Sequence, residues 1–204
     1  MKISIIVEGE TEKAFKLHLV KFLESRLSGN MPSLKFDVHR GSIPTNDKLR
    51  RVVQILLRGK QPADHVIALT DVYTGDEPPI FKDASEAKRK MTQWVGPEPR
   101  FHPHAAQHDF EAWLLPYWND ILKLAGHKSK KVPAVNPETV NHTKPPAFHI
   151  KEVFRNGGRR GQYSKPRDAG RILRENDLSV AIRQCSELKA FVNTILHVCG
   201  AQKI

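Results

Sequence analysis

Val7-Glu8-Gly9-Glu10-Thr11-Glu12 follows directly on Lys2-Ile3-Ser4-Ile5-Ile6, and the reading of this junction decides the fold. Lys2 to Val7 is a short, β-rich apolar run that reads as a buried strand. From Thr11 to about Ser28 the apolar residues Phe15, Leu19, Phe22, Leu23 and Leu27 recur at helical spacing and make one buried stripe. A buried strand that passes through a three-residue acidic turn into an amphipathic helix is the first unit of a parallel sheet with crossover helices.

The same alternation continues downstream. Leu34 to His39 alternates apolar and polar side chains as a half-buried strand does, and Asn46 is placed to cap a second helix. Leu49, Val52, Val53, Leu56 and Leu57 form the apolar face of that helix, and Gly59 stands where a left-handed C-terminal residue is wanted. His65 to Thr70 reads as a third strand. A charged helix starts at Asp83 or Ser85 and runs to about Val95, Phe101 to Ala106 is a fourth strand, and Asp109 to Leu115 turns helical again. Beyond Gly126, Pro133, Pro137, Pro145 and Pro146 break the pattern into loops and short helices, before a last helix from about Ser186 to Val198. The division expected is an α/β core over residues 1–125 and a mostly helical, basic extension over residues 126–204, packed on the core as a single compact unit.

Charge locates the working surface. The 204 residues carry 33 Lys and Arg against 22 Asp and Glu, a formal +11. Thirteen of those bases and three of the acids lie between Lys123 and Arg174, so this quarter of the chain nets +10 and all the rest only +1. A solvated surface explains a general charge excess, whereas segregation of this kind favours an anionic partner, and the Gly- and Pro-rich setting is not that of a membrane-surface helix. Nucleic acid, DNA or RNA, is the expected partner, held by Lys151, Arg159, Arg160, Tyr163, Lys165 and Arg167, with Tyr163 the best base-stacking candidate. No apolar stretch approaches the ~20 residues of a membrane span, and a carboxylate at Glu8 interrupts the N-terminus before a signal-peptide core develops, so a cytoplasmic chain is expected. Cys185 and Cys199 form no C-x-x-C pair and read as reduced thiols.

Acids cluster at the strand ends. Glu8 ends the first strand, Asp71 the third, and Asp109 with Glu111 follows the fourth. In an open parallel sheet the carboxyl ends of strands share one edge, so residues distant in sequence meet in one crevice. Hard carboxylate oxygens there suit Mg²⁺, which activates water and stabilises a leaving oxygen in phosphodiester cleavage. Capping of helices or turns is the plainer role open to each of these acids. A second metal set, zinc or manganese on His102, His104 and His108 with Glu111, is also open.

These residues carry a resemblance. The Val7 to Glu12 junction resembles the strand-loop-helix opening of Toprim domains, and Asp71-Val72-Tyr73 resembles their second motif. Together with His108-Asp109-Phe110-Glu111-Ala112-Trp113-Leu114-Leu115 they resemble domain-of-unknown-function family 4276, a Toprim-like bacterial group related to the nuclease domains of overcoming-lysogenization-defect (OLD) proteins. The resemblance implies a Toprim-like parallel sheet flanked by helices. It implies Glu8 as metal ligand or general acid/base, Asp71 and Glu111 as metal ligands with Asp109 beside them, and Gly9 as the residue permitting a tight turn. Tyr163-Ser164-Lys165 resembles the family's Y-x-K stretch, which implies that Lys165 neutralises the scissile phosphate. It further implies a setting in phage defence beside an ATPase partner.

Where Toprim domains carry D-x-D this chain has Tyr73, so the second carboxylate is absent or comes from Asp76 or Asp109. The sequence thus reads as a Mg²⁺-dependent nuclease, with Mn²⁺ as alternative cofactor and Glu8, Asp71, Glu111 and Lys165 as its catalytic residues. The rival is a degenerate Toprim-like module that binds nucleic acid or docks on an ATPase without cutting. G-x-x-x-x-G-K-[ST] is absent, so ATP hydrolysis by this chain is not expected.

Overall fold

The computed structural model describes every residue except 28, 30, 73–78, 141, 142, 159 and 160. Four short apolar runs in the described residues form strands β1 (Lys2–Val7), β2 (Ser33–Val38), β3 (His65–Asp71) and β4 (Phe101–Ala106), joined in one fully parallel sheet of order β2-β1-β3-β4. Crossovers run through α1 (Glu10–Glu24) between β1 and β2, α2 (Asn46–Arg58) between β2 and β3, and α3 (Ala84–Val95) between β3 and β4. From β1 the chain steps outward to β2 in one direction and then to β3 and β4 in the other. A topological switch point therefore opens at the carboxyl ends of β1 and β3. Pro103 lies in β4, an edge strand, where a missing N–H costs no partner on the open side.

Side-chain alternation divides the core between the two faces of the sheet. Ile3, Ile5 and Val7 of β1 and Ile67 and Leu69 of β3 point to one face, while Ile6, Val66 and Ala68 point to the other. On the second face, α2 supplies Leu49, Val53 and Leu57 and α3 supplies Ala87 and Met91. The first face is covered by α1 together with segments from beyond β4: a 3-10 helix at Phe110–Tyr117, α4 (Trp118–Ala125), α5 (Pro146–Asn156), α6 (Lys165–Arg174), α7 (Leu178–Gln184) and α8 (Ser186–Val198). Phe15, Phe110, Trp113 and Phe191 meet at its centre, with ring centroids 5.3–6.1 Å apart. Strands β1–β4, α3 with its Asp83 cap and α8 lie within a residue or so of the sequence expectation.

Two local expectations differ. Asn46 is the first residue of α2 rather than its cap, with φ +51°, and Thr45 takes the N-cap position. Gly59 is extended at φ −74°, not left-handed; its glycine is required because a Cβ there would lie 2.5 Å from the Ile55 carbonyl oxygen. Among the described residues no helix is long and apolar enough to cross a membrane. Cys185 is buried and Cys199 half-buried, both as free thiols.

Candidate active site

Glu8 leaves β1 at the switch point and turns toward β3. Thr70 donates its hydroxyl to Glu8 Oε1, and the Asp71 amide donates to the same oxygen at 3.1 Å. These bonds fix Glu8 across the two central strand ends. Burial nevertheless dominates, pushing the Glu8 carboxyl up to about 7, with the negative charge of Glu12 adding to the effect. Gly9 is extended (φ −154°, ψ 179°), a conformation open to any residue, so the expected tight turn is not the reason for glycine. A Cβ at position 9 would stand 3.1 Å from Glu12 Oε2.

Glu12 itself was not among the sequence candidates. It sits in the first turn of α1, where an acid is ordinarily explained by the helix dipole, yet its side chain is buried against the other acids. Its pKa is raised by burial and by Glu111, against the pull of Lys165. Asp71, at the end of β3, is raised well above the ordinary carboxylate range by loss of hydration and then by Glu8, Glu12, Asp109 and Glu111.

The other two acids arrive from the far side of β4. Gln107 accepts a hydrogen bond from the Ala84 amide at 2.9 Å, and His108 takes a left-handed backbone conformation, φ +71°, uncommon for a residue with a side chain. That turn delivers Asp109 as N-cap of the 3-10 helix and Glu111 inside it. Asp109 is 3% exposed; its Oδ2 accepts from the Ala147 amide at 3.1 Å, while Oδ1 has no hydrogen-bond partner among the described residues. Burial, then Glu111, pushes Asp109 up to about 7. Glu111 is fully buried and held by the C-terminal segment: Lys165 donates to Oε2 at 3.0 Å and the Tyr163 hydroxyl to Oε1 at 3.4 Å. Burial alone would lower the Lys165 pKa, but Glu111, Asp71 and Asp109 outweigh it and raise it.

Glu12, Asp71, Asp109 and Glu111 thus share the field of one lysine, with Glu8 beside Asp71 as a fifth acid. Such an excess of buried like charge is costly unless protons or a cation offset it. The hard oxygen donors and the unpartnered Asp109 Oδ1 fit a divalent ion such as Mg²⁺ in chemistry. No group of three His, Cys, Asp or Glu side chains among the described residues is drawn together closely enough to hold a metal.

The remaining sequence candidates fall in several places. Lys151 is exposed on α5. Arg167 is engaged by Asp168 through two bonds of 2.9 and 3.0 Å at the start of α6. Tyr163 is only 7% exposed, its ring against Phe154 and its hydroxyl on Glu111, so it is no open stacking platform. Arg159, Arg160, Tyr73 and Asp76 lie outside the described residues. The histidines do not assemble with Glu111: His102 pairs with His65 on β3 at 3.1 Å and His104 with Thr194 on α8 at 2.9 Å.

A parallel sheet of order β2-β1-β3-β4 with acids at its switch point and after its edge strand defines a Toprim-like α/β domain. Comparison with solved structures agrees: the C-terminal region of the Burkholderia pseudomallei OLD protein superposes with a TM-score of 0.56 at 11% identity, over 97% of this chain and 98% of that one. The C-terminal region of the Xanthomonas campestris pv. campestris OLD protein gives 0.46 at 12% identity, over 96% and 97% of the two chains. Residues 7–196 match the model of the family described as Domain of unknown function (DUF4276), and the chain belongs to that family. No curated protein matches it significantly in sequence.

Proposed function

We propose that this protein is a metal-dependent nuclease that hydrolyses phosphodiesters of DNA or RNA. The observation that carries the proposal is that Asp71, at the end of β3, feels the charge of Glu8, Glu12, Asp109 and Glu111 together, while Lys165 is bonded to Glu111 at 3.0 Å. The fold shared with an OLD-protein C-terminal region supports the class. On the family resemblance we extend the proposal to a role in phage defence beside an ATPase partner.

In this reading Glu8, Asp71 and Asp109, which in this structure do not stand close enough to form a metal-binding trio, are the acids that would hold Mg²⁺, or Mn²⁺, and the ion would supply Lewis-acid chemistry to a water and to the leaving oxygen. Without the ion Glu8, pushed up to about 7 and steadied by Thr70 and the Asp71 amide, exchanges a proton near neutral pH, and it would give that proton up on becoming a ligand. Lys165, kept protonated by its acidic neighbours, sets positive charge where the phosphate gathers negative charge. Glu111 spends both oxygens on Lys165 and Tyr163, which makes it the anchor of the C-terminal segment in the site.

The test is incubation of plasmid, single-stranded DNA and total tRNA with purified protein and Mg²⁺ or Mn²⁺, beside Glu8→Gln and an EDTA control. Cutting that needs metal and drops ~100-fold or more in the variant is expected. Equal cutting by the variant removes Glu8 from the reaction. A second reading, a module that binds nucleic acid without cutting, is favoured by one observation: no metal-holding trio is formed among the described residues. It predicts salt-sensitive binding that survives EDTA and no cleavage with either metal.

A further inference from the structure

Beside Tyr163 lies a cleft of about 680 Å³, lined by Phe148, Lys151, Glu152 and Arg155 of α5 and by Gly157, Gly161, Gln162 and Tyr163. Residues 148, 151, 152 and 155 recur at helical spacing and so share one face of α5. Phe148 is 40% exposed and is the sole aromatic among the exposed large apolar side chains of the described residues. The Lys144 ammonium lies 5.8 Å from its ring centroid. Glu152 does not cancel the charge of this face, because Lys130 donates to its carboxylate at 2.6 Å. Lys151 and Arg155 make the net sign positive. Tyr163 belongs to both places: it lines the cleft and its hydroxyl reaches Glu111 in the carboxylate cluster.

We infer that this cleft is a subsite for single-stranded nucleic acid, in which a base stacks on Phe148 and the flanking phosphates meet Lys151 and Arg155. The inference rests on the reading of the carboxylate cluster as a phosphodiester site and names the form of substrate that site takes. A solvent-exposed aromatic ring among cations is what an unstacked base needs, since every base offers a π-face and every link a negative charge. Bases inside a duplex present only their edges in the grooves, and a concave slot of small-ligand size cannot reach their faces. A strand seated in the cleft lies against Tyr163, whose hydroxyl reaches Glu111 of the carboxylate cluster.

The experiment is fluorescence anisotropy of the full chain in EDTA with labelled oligo-dT, oligo-U and a duplex of equal length, across a salt series. Tight binding of a single strand over duplex is expected, and the better of oligo-dT and oligo-U names the sugar. Phe148→Ala should weaken single-strand binding ~10-fold, the effect of one stacked base, and Phe148→Tyr should restore it. Lys151→Gln and Arg155→Gln should each lower the salt slope by ~0.7. Single-strand binding unaffected by Phe148→Ala, equal losses on strand and duplex, or no single-strand binding by the wild type would each overturn the inference. Because the readout is binding without metal, these results are independent of cleavage: a protein that cuts but ignores Phe148 keeps the nuclease reading and loses the subsite. Thermal melts of each variant show that its fold is intact.

Discussion

Glu8 is stabilised as an anion by two donors and destabilised as an anion by its surroundings, and the surroundings win. Its folded pKa of about 7 stands above the ordinary 4.5, so between these values the folded carboxyl keeps a proton that the unfolded one has lost. Its contribution to stability is whole below about pH 4.5 and is lost as pH rises through about 7. His102 and His104, lowered to about 4 and about 3 by burial, act with the opposite sign over an overlapping window. Those terms cancel when Glu8→Gln is compared with wild type at each pH. In EDTA the variant should gain on wild type between pH 5 and pH 8 by ~2 kcal/mol, or roughly 4–8 °C in Tm. A Tm difference that does not change with pH would show that the Glu8 carboxyl titrates as it does in water. At this scale the acids at strand ends were legible, because the end of a buried strand is a position that sequence marks. Glu12 was not: its burial against Glu111 and Lys165 depends on residues about a hundred and more positions away.

Helix ends show what local pattern can and cannot reach. Asp83 caps α3 through the Glu86 amide three residues on, a spacing visible in the sequence. The start of α8 is capped from a distance: Glu138 accepts from the Ser186 amide and hydroxyl at 2.7 Å each and from the Glu187 amide at 3.0 Å, across 48 residues. No periodicity announces such a bond. In sequence Glu138 is simply one of three acids in the basic region, and in the structure it ties that region to the helix that packs beside β4. Glu138→Ala removes a charged acceptor from a helix N-terminus and should cost about 1.5–3 kcal/mol, read as a lower Tm in thermal unfolding. Glu138→Gln, which keeps one acceptor oxygen, should recover part of it. A melt unchanged in Glu138→Ala would mean that α8 is held by its apolar face alone. Asn46 and Gly59 mark helix boundaries in the sequence, but the positive φ falls on Asn46 rather than on Gly59, where the close Ile55 carbonyl oxygen is what demands glycine.

At the scale of the whole molecule, the alternation of strands and helices made the parallel sheet legible. Charge segregation pointed to the segment that builds the cleft. That this segment packs on the core was an expectation from the sequence; which of its residues enter the core was not legible. Loop-rich residues between Gly126 and the last helix give no strong period, yet Ile150, Val153, Phe154, Ala169 and Ile172 are all buried in one cluster with Ile3, Ile5 and Val7 of the first strand. The family resemblance of Tyr163-Ser164-Lys165 put Lys165 in one site with Glu111, but that Tyr163 spends its hydroxyl on Glu111 depends on how the chain packs before α6 and was not legible.

This interleaving has a consequence in time. During synthesis the sheet emerges first, but the face carrying Ile3, Ile5, Val7 and Leu69 lacks most of its cover until α8 has left the ribosome. The 79 residues after Ala125 take ~4–16 s to translate at ~5–20 residues per second, and through that interval an apolar surface stands open to chaperones and to neighbouring nascent chains. A chain released at residue 125 should therefore accumulate as aggregate rather than as a folded core, measured as the soluble fraction beside the full chain. A soluble, cooperatively melting fragment would show instead that α1 and the 3-10 helix suffice to close the sheet. Lys165 belongs to that late segment, so the site gains its balancing charge only after all four strands and their acids have been made.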